Sequence, residues 1–308
     1  MSIQVRADEL DSALEDLSVR VERAAQLLRH ALAPSAGGSR LGVAFSGGVD
    51  SSVLLALAAR TVGAERVLAI LGVSPSLAAS ERRQAHQVAE EIGVEVVEVT
   101  THEGERPEYR ANGADRCFYC KDELFTRIDD DLALAHGLSA IAYGENADDA
   151  LRPDRPGAEA ATQHQVLRPL ADAGLDKAAV RTLARGWGLR SADKPAAPCL
   201  ASRIPHGEEV TPEKLRAIDD AEEALRDLGF AEFRVRHHGE IARLELPAAD
   251  LVRAVSEPLR TQVQAAVRRA GFRFVVIDLA GLQSGLFTLT VLGRSTGGQL
   301  DDARRARG

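Results

Sequence analysis

The sequence predicts a doubly wound α/β protein, a parallel sheet with helices on both faces, followed by a smaller C-terminal α+β domain. Two observations carry this. Short apolar runs, LGVAF at 41–45, RVLAILGV at 66–73 and SAIAYG at 139–144, alternate with helical stretches, as strands buried on both faces do. After residue 207 the character changes to a compact mixture of helix and strand about 100 residues long, an ordinary domain size.

The elements follow in order. Leu10, Leu14, Leu17, Val21 and Leu28 recur at helical spacing, so an N-terminal helix is expected within 1–38. PSAGGSR is a loop, LGVAF a strand and VLLALAAR a helix, with SGGVDSS between the last two. The segment SERRQAHQVAEEIG is a helix that stops at Gly93, VEVVEV at 94–99 is a strand, and a helix is expected from about Asp122 to His136. Residues 147–170 read as loop. Asp176 is the expected N-cap of KAAVRTLARGWG. Residues 191–207 carry prolines and no period, so they form a linker or a functional loop. Then come a helix over 211–228 that stops at Gly229, strands FRVRHH and IARLEL, a helical stretch near 248–270, and the strand FRFVVIDL. The expected domains are 1–207 and 208–308, with a disordered tail at 294–308.

Composition bounds the function. The chain has 308 residues, 45% hydrophobic and 27% charged, with a net charge of -8. An acidic chain without a basic arm is a poor partner for bulk nucleic acid. Three cysteines make no disulfide framework, and the start lacks the apolar core of a signal peptide. No run is long enough to span a bilayer. The expectation is a cytoplasmic protein.

The strongest local motif is FSGGVDSS, Phe45 to Ser52, between an apolar strand and a helix. Gly47 and Gly48 let the backbone approach an anion closely, and Ser46, Ser51 and Ser52 add hydroxyls. The helix start aims N–H groups and the positive end of its dipole at the same place. The site is built for phosphate. Asp50, itself anionic, makes sense as a ligand for Mg²⁺ that bridges phosphates. GENADD at 144–149 follows an apolar strand at the end where open α/β sheets bind ligands, which makes Gly144 a candidate for the nucleotide site. The other reading of GENADD is a turn capped by Asn146 and Asp148.

Cys117 and Cys120 form a C-x-x-C, and Cys199 stands apart in APCLASRIPHG. By residue type alone the pair admits zinc completed by His102, His136 or His206, a redox dithiol, an iron–sulfur site, or simple packing of thiols. Arg234 and Arg236 alternate along a predicted strand, so both face one way and can fork a phosphate or carboxylate; a solvated strand face is the other reading. Lys121 can neutralise phosphate or carboxylate, or be a surface lysine. Asp278 is a site acid or a strand-end cap. Trp187 reads as packing, and His237 and His238 are assigned no role.

The loop SGGVDS resembles the PP-loop of the ATP pyrophosphatases, which cleave ATP between its α and β phosphates, place AMP on a substrate oxygen and release pyrophosphate. Together, FSGGVDSS, DRCFYCKDELF, the RPG at 155–157, APCLASRIPHG and FRVRHHGEIARLELP resemble the LarE family, from about Gly42 to about Gly285. These are ATP-dependent sulfur transferases that act in making the nickel-pincer nucleotide cofactor. The resemblance implies a small-molecule nucleotide substrate, a pyridinium dicarboxylate mononucleotide that is adenylated and then converted to a thiocarboxylate. It implies ATP bound at Ser46, Gly47, Gly48, Asp50, Ser51, Ser52 and Gly144, with Mg²⁺ on Asp50. It implies substrate phosphate held by Ser202 and Arg203 with Arg234 and Arg236, and catalysis by Cys199, Cys117, Cys120 and Lys121. One kind of LarE protein has a single cysteine, gives up its sulfur and becomes dehydroalanine. The other has three cysteines and is thought to hold a [4Fe-4S] cluster that carries the extra sulfide. This chain has all three, which implies the cluster on Cys117, Cys120 and Cys199, with one iron open. Family assembly as trimers or hexamers is implied as well, and the source of sulfide is not. A PP-loop tRNA thiolase, an amidotransferase-type synthetase, a non-catalytic nucleotide sensor and sacrificial use of Cys199 are the alternatives.

Overall fold

The computed structural model describes residues 2–32, 39–151 and 156–282, with side chains in the first helix from residue 14 onward. In chain order the elements are α1 (Ser2–Ala31), β1 (Arg40–Ala44), α2 (Val49–Val62), β2 (Val67–Val73), α3 (Ala79–Ile92), β3 (Glu95–Thr100), α4 (Pro107–Arg110) and α5 (Arg116–Arg127). Next come β4 (Leu138–Tyr143), α6 (Ala147–Ala150), α7 (Pro156–Gln163), α8 (Pro169–Asp172), α9 (Lys177–Gly186) and α10 (Pro212–Asp227). Last are β5 (Arg234–His238), β6 (Ile241–Glu245), α11 (Ala248–Val255), α12 (Leu259–Arg269) and β7 (Phe274–Ile277). The chain divides into one unit of residues 1–103 with 117–197, and a second of residues 104–116 with 198 onward. The expected division at 207 lies later than this. Residues 198–207 go with the second unit because Asn112, Arg116 and α10 hold them there.

In the first unit the strands pair in the order β3-β2-β1-β4, all parallel. Leu41 and Val43 of β1 and Leu68, Ala69 and Ile70 of β2 are wholly buried, which is why these runs carry no polar alternation. One face packs on α1, α2 and α9 through Leu28, Val53, Leu54, Val180 and Ala184. The other packs on α5, the π-helical turn Ile128–Leu132 that follows it, and α7 through Phe125, Ile128, Ala160 and Ala161. Each fully buried Leu, Val or Phe contributes about 1.5–3 kcal/mol. The doubly wound expectation is met.

Several local expectations are corrected. The helix expected from Asp122 begins at Arg116, because Phe118, Phe125 and Ile128 lie on one helical face against the sheet. Both Cys117 and Cys120 are therefore helical. Residues 147–170, read as loop, hold the short helices α6, α7 and α8, and Leu167 bridges to Ala142 at the sheet edge. The expected Asp176 cap is present, accepting from Ala179 N at 2.7 Å, and Gly93 closes α3 in the left-handed conformation. The RPG string is described only from Pro156, and the tail at 294–308 lies outside the described residues.

The second unit has a three-stranded sheet in the order β5-β6-β7, with β5 and β6 antiparallel and β6 and β7 parallel. Helix α10 is capped by Thr211, starts at Pro212 and buries Leu215, Ile218, Ala221 and Leu225. The single helical stretch expected near 248–270 is two helices, α11 and α12, parted at Ser256–Pro258, where proline cannot continue a helix. Among the described residues no helix is long and apolar enough to cross a membrane.

Candidate active site

The Gly-rich turn leaves the carboxyl end of β1 and opens α2. Gly47 has φ +69°, and a Cβ there would lie 2.8 Å from Ala85 Cα, so only glycine fits both the conformation and the space. Gly48 caps α2 without a side-chain bond, which leaves the first-turn N–H groups available to a ligand. The serines brace the turn: Ser51 and Ser52 donate to Gly48 O at 3.1 and 2.8 Å, and Ser46 and Ser51 hydroxyls meet at 3.2 Å. Strand β4 pairs with β1, so Gly144 arrives beside the same turn. A Cβ on Gly144 would sit 2.6 Å from Ser51 N. Structure thus brings together Ser46, Gly47, Gly48, Asp50, Ser51, Ser52 and Gly144 at the carboxyl edge of the sheet.

Three further groups of this unit gather there; sequence reasoning gave Asn146 only as a turn cap and assigned no role to Glu145 or Lys177. Lys177, at the start of α9, puts Nζ 2.5 Å from Asp50 Oδ2. Asn146 caps α6 by accepting from Asp149 N, and its amide also donates to Asp50 Oδ1 at 3.1 Å. The capped-turn reading of GENADD is met by Asn146 but not by Asp148, which accepts instead from Lys177 N at 2.9 Å, and the same turn reaches Asp50. Glu145 is buried beside Gly144 with Arg168 3.5 Å away. Asp50 and Asn146 were visible in their motifs; Lys177 carried no local signal.

Cys117 is exposed and Cys120 half-buried on α5, one helical turn apart, so both lie on one side of the helix. No disulfide involves any of the three cysteines. Lys121 is not a simple surface lysine. Its stem runs against Gly157, where a Cβ would meet Cδ at 2.8 Å, and its ammonium lies 4.2 Å over the Tyr143 ring. His164 sits between Asp129, at 2.9 Å, and Asp122, at 3.0 Å. Trp187 is packing, with Arg60 4.4 Å over its ring.

In the second unit Cys199 is exposed at the N-cap of a 3₁₀ turn, Leu200–Arg203. Arg203 fastens that turn. It donates to Pro198 O at 2.6 Å and to Ser202 Oγ at 3.0 Å, and its fork grips Glu222 at 3.0 and 3.2 Å. Arg236 repeats the arrangement, forking Glu245 at 3.0 Å twice and donating to Ser202 O at 2.8 Å. Arg234 and Arg236 are buried, which removes the solvated-face reading. Burial, then the charges of Arg236 and Arg203, push the Arg234 pKa down. Arg234 thus lies within range of the charges of Arg203 and Arg236, whose forks Glu222 and Glu245 engage. His237 is buried against Phe272, and burial lowers the pKa of both His237 and His238. Asp278 accepts from Arg243 at 2.8 Å and from Ala280 N at 2.9 Å, so it is a strand-end cap and an ion-pair partner. Among the described residues no three His, Cys, Asp or Glu side chains are gathered at metal-binding range.

A parallel sheet whose first strand runs through the SGGVDSS turn into an open helix start is the framework of a PP-loop, ATP-using enzyme. A model of the asparagine synthase family matches residues 23–141, which span that loop and reach from β1 into β4. An uncharacterized protein of Synechocystis is 41% identical over 79% of this chain and 90% of its own length. The pyridinium-3,5-bisthiocarboxylic acid mononucleotide synthase of Lactiplantibacillus plantarum is 34% identical over 80% of this chain and 88% of its own length. An uncharacterized protein of Methanocaldococcus jannaschii is 25% identical over 77% of the chain. The chain belongs to the LarE family of ATP-using sulfur transferases.

Proposed function

We propose that this enzyme adenylates a carboxylate of pyridinium-3,5-biscarboxylic acid mononucleotide and replaces its oxygen with sulfur in nickel-pincer cofactor synthesis. The observation that carries the substrate reading is the cluster of Arg203, Arg234 and Arg236 in the same unit as Cys199. A mononucleotide brings the phosphate such a cluster favours, and the name of the relative from Lactiplantibacillus plantarum supplies its class.

The first step joins a substrate carboxylate oxygen to the α-phosphorus of ATP. The bond from that phosphorus to the β-bridging oxygen breaks, and pyrophosphate leaves. Ser46, Gly47, Gly48, Ser51 and Ser52 hold the phosphates through N–H and O–H groups, and Gly144 gives room for the approach. Asp50 is an oxygen ligand beside the turn and fits Mg²⁺, which would screen phosphate charge. Lys177 and Lys121 supply further positive charge. Ser202, Arg203, Arg234 and Arg236 bind the substrate phosphate, with Glu222 and Glu245 keeping the arginine forks in place.

In the second step a sulfur nucleophile adds to the adenylated carbonyl. The bond to AMP breaks, AMP leaves with the oxygen, and the nucleophile releases its proton. AMP is a good leaving group where the free carboxylate oxygen is not. Cys117 and Cys120 lie one turn apart on α5, and Cys199 is exposed, so each thiol is a suitable ligand for iron. They would hold a [4Fe-4S] cluster that, when bound, carries the extra sulfide.

The test is pyrophosphate release from ATP and Mg²⁺. Release only when the pyridinium dicarboxylate nucleotide is present supports the reading. Release without it, or with tRNA in its place, would overturn it. The enzyme is expected to act as a cytoplasmic homo-oligomer, trimer or hexamer, which light scattering on the purified protein checks.

A further inference from the structure

Asn112 is fully buried and holds φ 56°, a left-handed conformation that few residues other than glycine adopt. Its side chain explains why it is not glycine. The amide donates to Pro205 O at 2.8 Å and to Ile204 O at 3.3 Å, while Oδ1 accepts from Arg116. Its carbonyl accepts from Gly207 N at 3.2 Å and meets His206 Nδ1 at 3.1 Å. Arg116 is itself buried, and the same nitrogen that reaches Asn112 donates to Ala201 O at 3.0 Å. These contacts all lie within the second unit. Ala201 is two residues beyond Cys199, and Arg116 is bonded directly to Cys117. The segment after the 3₁₀ turn has no helix or strand of its own before α10; the Asn112 side chain holds it together with the backbone bonds from Gly207 N to Asn112 O and from Val210 N to Arg110 O, while Arg116 joins Arg203 and Arg236 in holding the turn itself.

We propose that Asn112 and Arg116 are positioning residues for Cys199: they fasten the thiol-bearing turn to the residue from which the Cys117–Cys120 helix departs. The proposal rests on the reading that Cys199 serves in sulfur delivery. The same turn carries Ser202 and Arg203, proposed to bind the substrate phosphate, so both half-reactions are compared at saturating pyridinium nucleotide, where their ratio reads the placement of Cys199 rather than substrate binding. Misplacing a reacting group by about 1 Å costs roughly a hundredfold.

The variants are Arg116→Gln, Arg116→Lys and Asn112→Gly. Glycine suits φ 56°, so that last variant removes the side-chain bonds to Ile204, Pro205 and Arg116 without straining the backbone, and keeps the carbonyl contacts to Gly207 and His206. Three quantities are measured on each: the melting temperature, the alkylation rate of Cys199 by iodoacetamide read from its peptide by mass spectrometry, and the ratio of thiocarboxylate formed to pyrophosphate released. Arg116→Gln and Asn112→Gly should change the alkylation rate and lower the ratio by roughly tenfold or more, with the KM for ATP unmoved. Arg116→Lys should recover much of both, since one nitrogen makes both bonds. An unchanged alkylation rate and ratio in folded Asn112→Gly would overturn the proposal, as would an equal fall of both half-reactions. The alkylation needs no substrate. If the parent enzyme released no pyrophosphate with the pyridinium nucleotide, the functional reading would fail while the positioning test still stood.

Discussion

Lys177 Nζ and Asp50 Oδ2 lie 2.5 Å apart, although 127 positions separate the residues in sequence. The contact joins the start of α9 to the first turn of α2, where ATP phosphates are proposed to bind. Asp50 alone would repel phosphate; Lys177 offsets that charge. Lys177→Ala should lower substrate-dependent pyrophosphate release by roughly a hundredfold, the usual effect of losing a charge that stabilises a transferring group. Because the pair is partly exposed, the melting temperature should move little. Stopped assays for pyrophosphate, with a thermal melt alongside, check both.

Gly144 tests the close approach of β4 to the nucleotide turn. An added methyl would meet the Ser51 backbone at 2.6 Å, and backbone cannot swing aside as a flexible side chain can. Gly144→Ala should therefore weaken ATP binding and lower pyrophosphate release, with the greater loss in KM for ATP. Titration of ATP against the variant reads this directly.

Arg203 and Glu222 form a buried pair, with side chains 8% and 1% exposed. Removing one partner leaves an uncompensated buried charge, so Glu222→Ala should destabilise the protein by about 3–5 kcal/mol. Urea unfolding measures it. The loss should exceed that of breaking the exposed Arg273–Glu240 pair, which is worth about 1 kcal/mol or less.

His164 gives the pH dependence its sign. Burial alone would lower its pKa, but hydrogen bonds donated to Asp129 and Asp122 outweigh burial and raise it above 6.5. A raised folded-state pKa means that the contribution is fully present below 6.5 and is lost as pH rises through the higher folded value. The melting temperature should therefore fall over that window. In His164→Gln the fall should be flatter, which a melt series across pH tests.

What was legible in the sequence was what chemistry confines to contiguous residues. The PP-loop is a strand, a glycine turn and a helix start in one stretch, so SGGVDSS disclosed it, and the wholly apolar β1 and β2 announced a parallel sheet. The beginning of α5 was missed because polar Arg116 and Cys117 mask the Phe118, Phe125 and Ile128 stripe. Lys177 was missed because only folding sets α9 beside α2. The arginines were recognised as a group and Glu245 stood in the same FRVRHHGEIARLELP string without being assigned a role, whereas Glu222 lies on α10 with no motif to join it to Arg203. Asn112 was invisible for a different reason: its role depends on side-chain bonds to Ile204 and Pro205, 92 and 93 positions away, which no local motif announces.

The most direct measurement is mass spectrometry of product and protein after anaerobic incubation with ATP, Mg²⁺, sulfide and the pyridinium dicarboxylate nucleotide. The account predicts nucleotide in which sulfur has replaced carboxylate oxygen, more than one equivalent per chain, with Cys199 unchanged in mass and iron and labile sulfide present. Thiocarboxylate limited to one equivalent, with Cys199 converted to dehydroalanine, would contradict the cluster route. No thiocarboxylate at all would contradict the account itself.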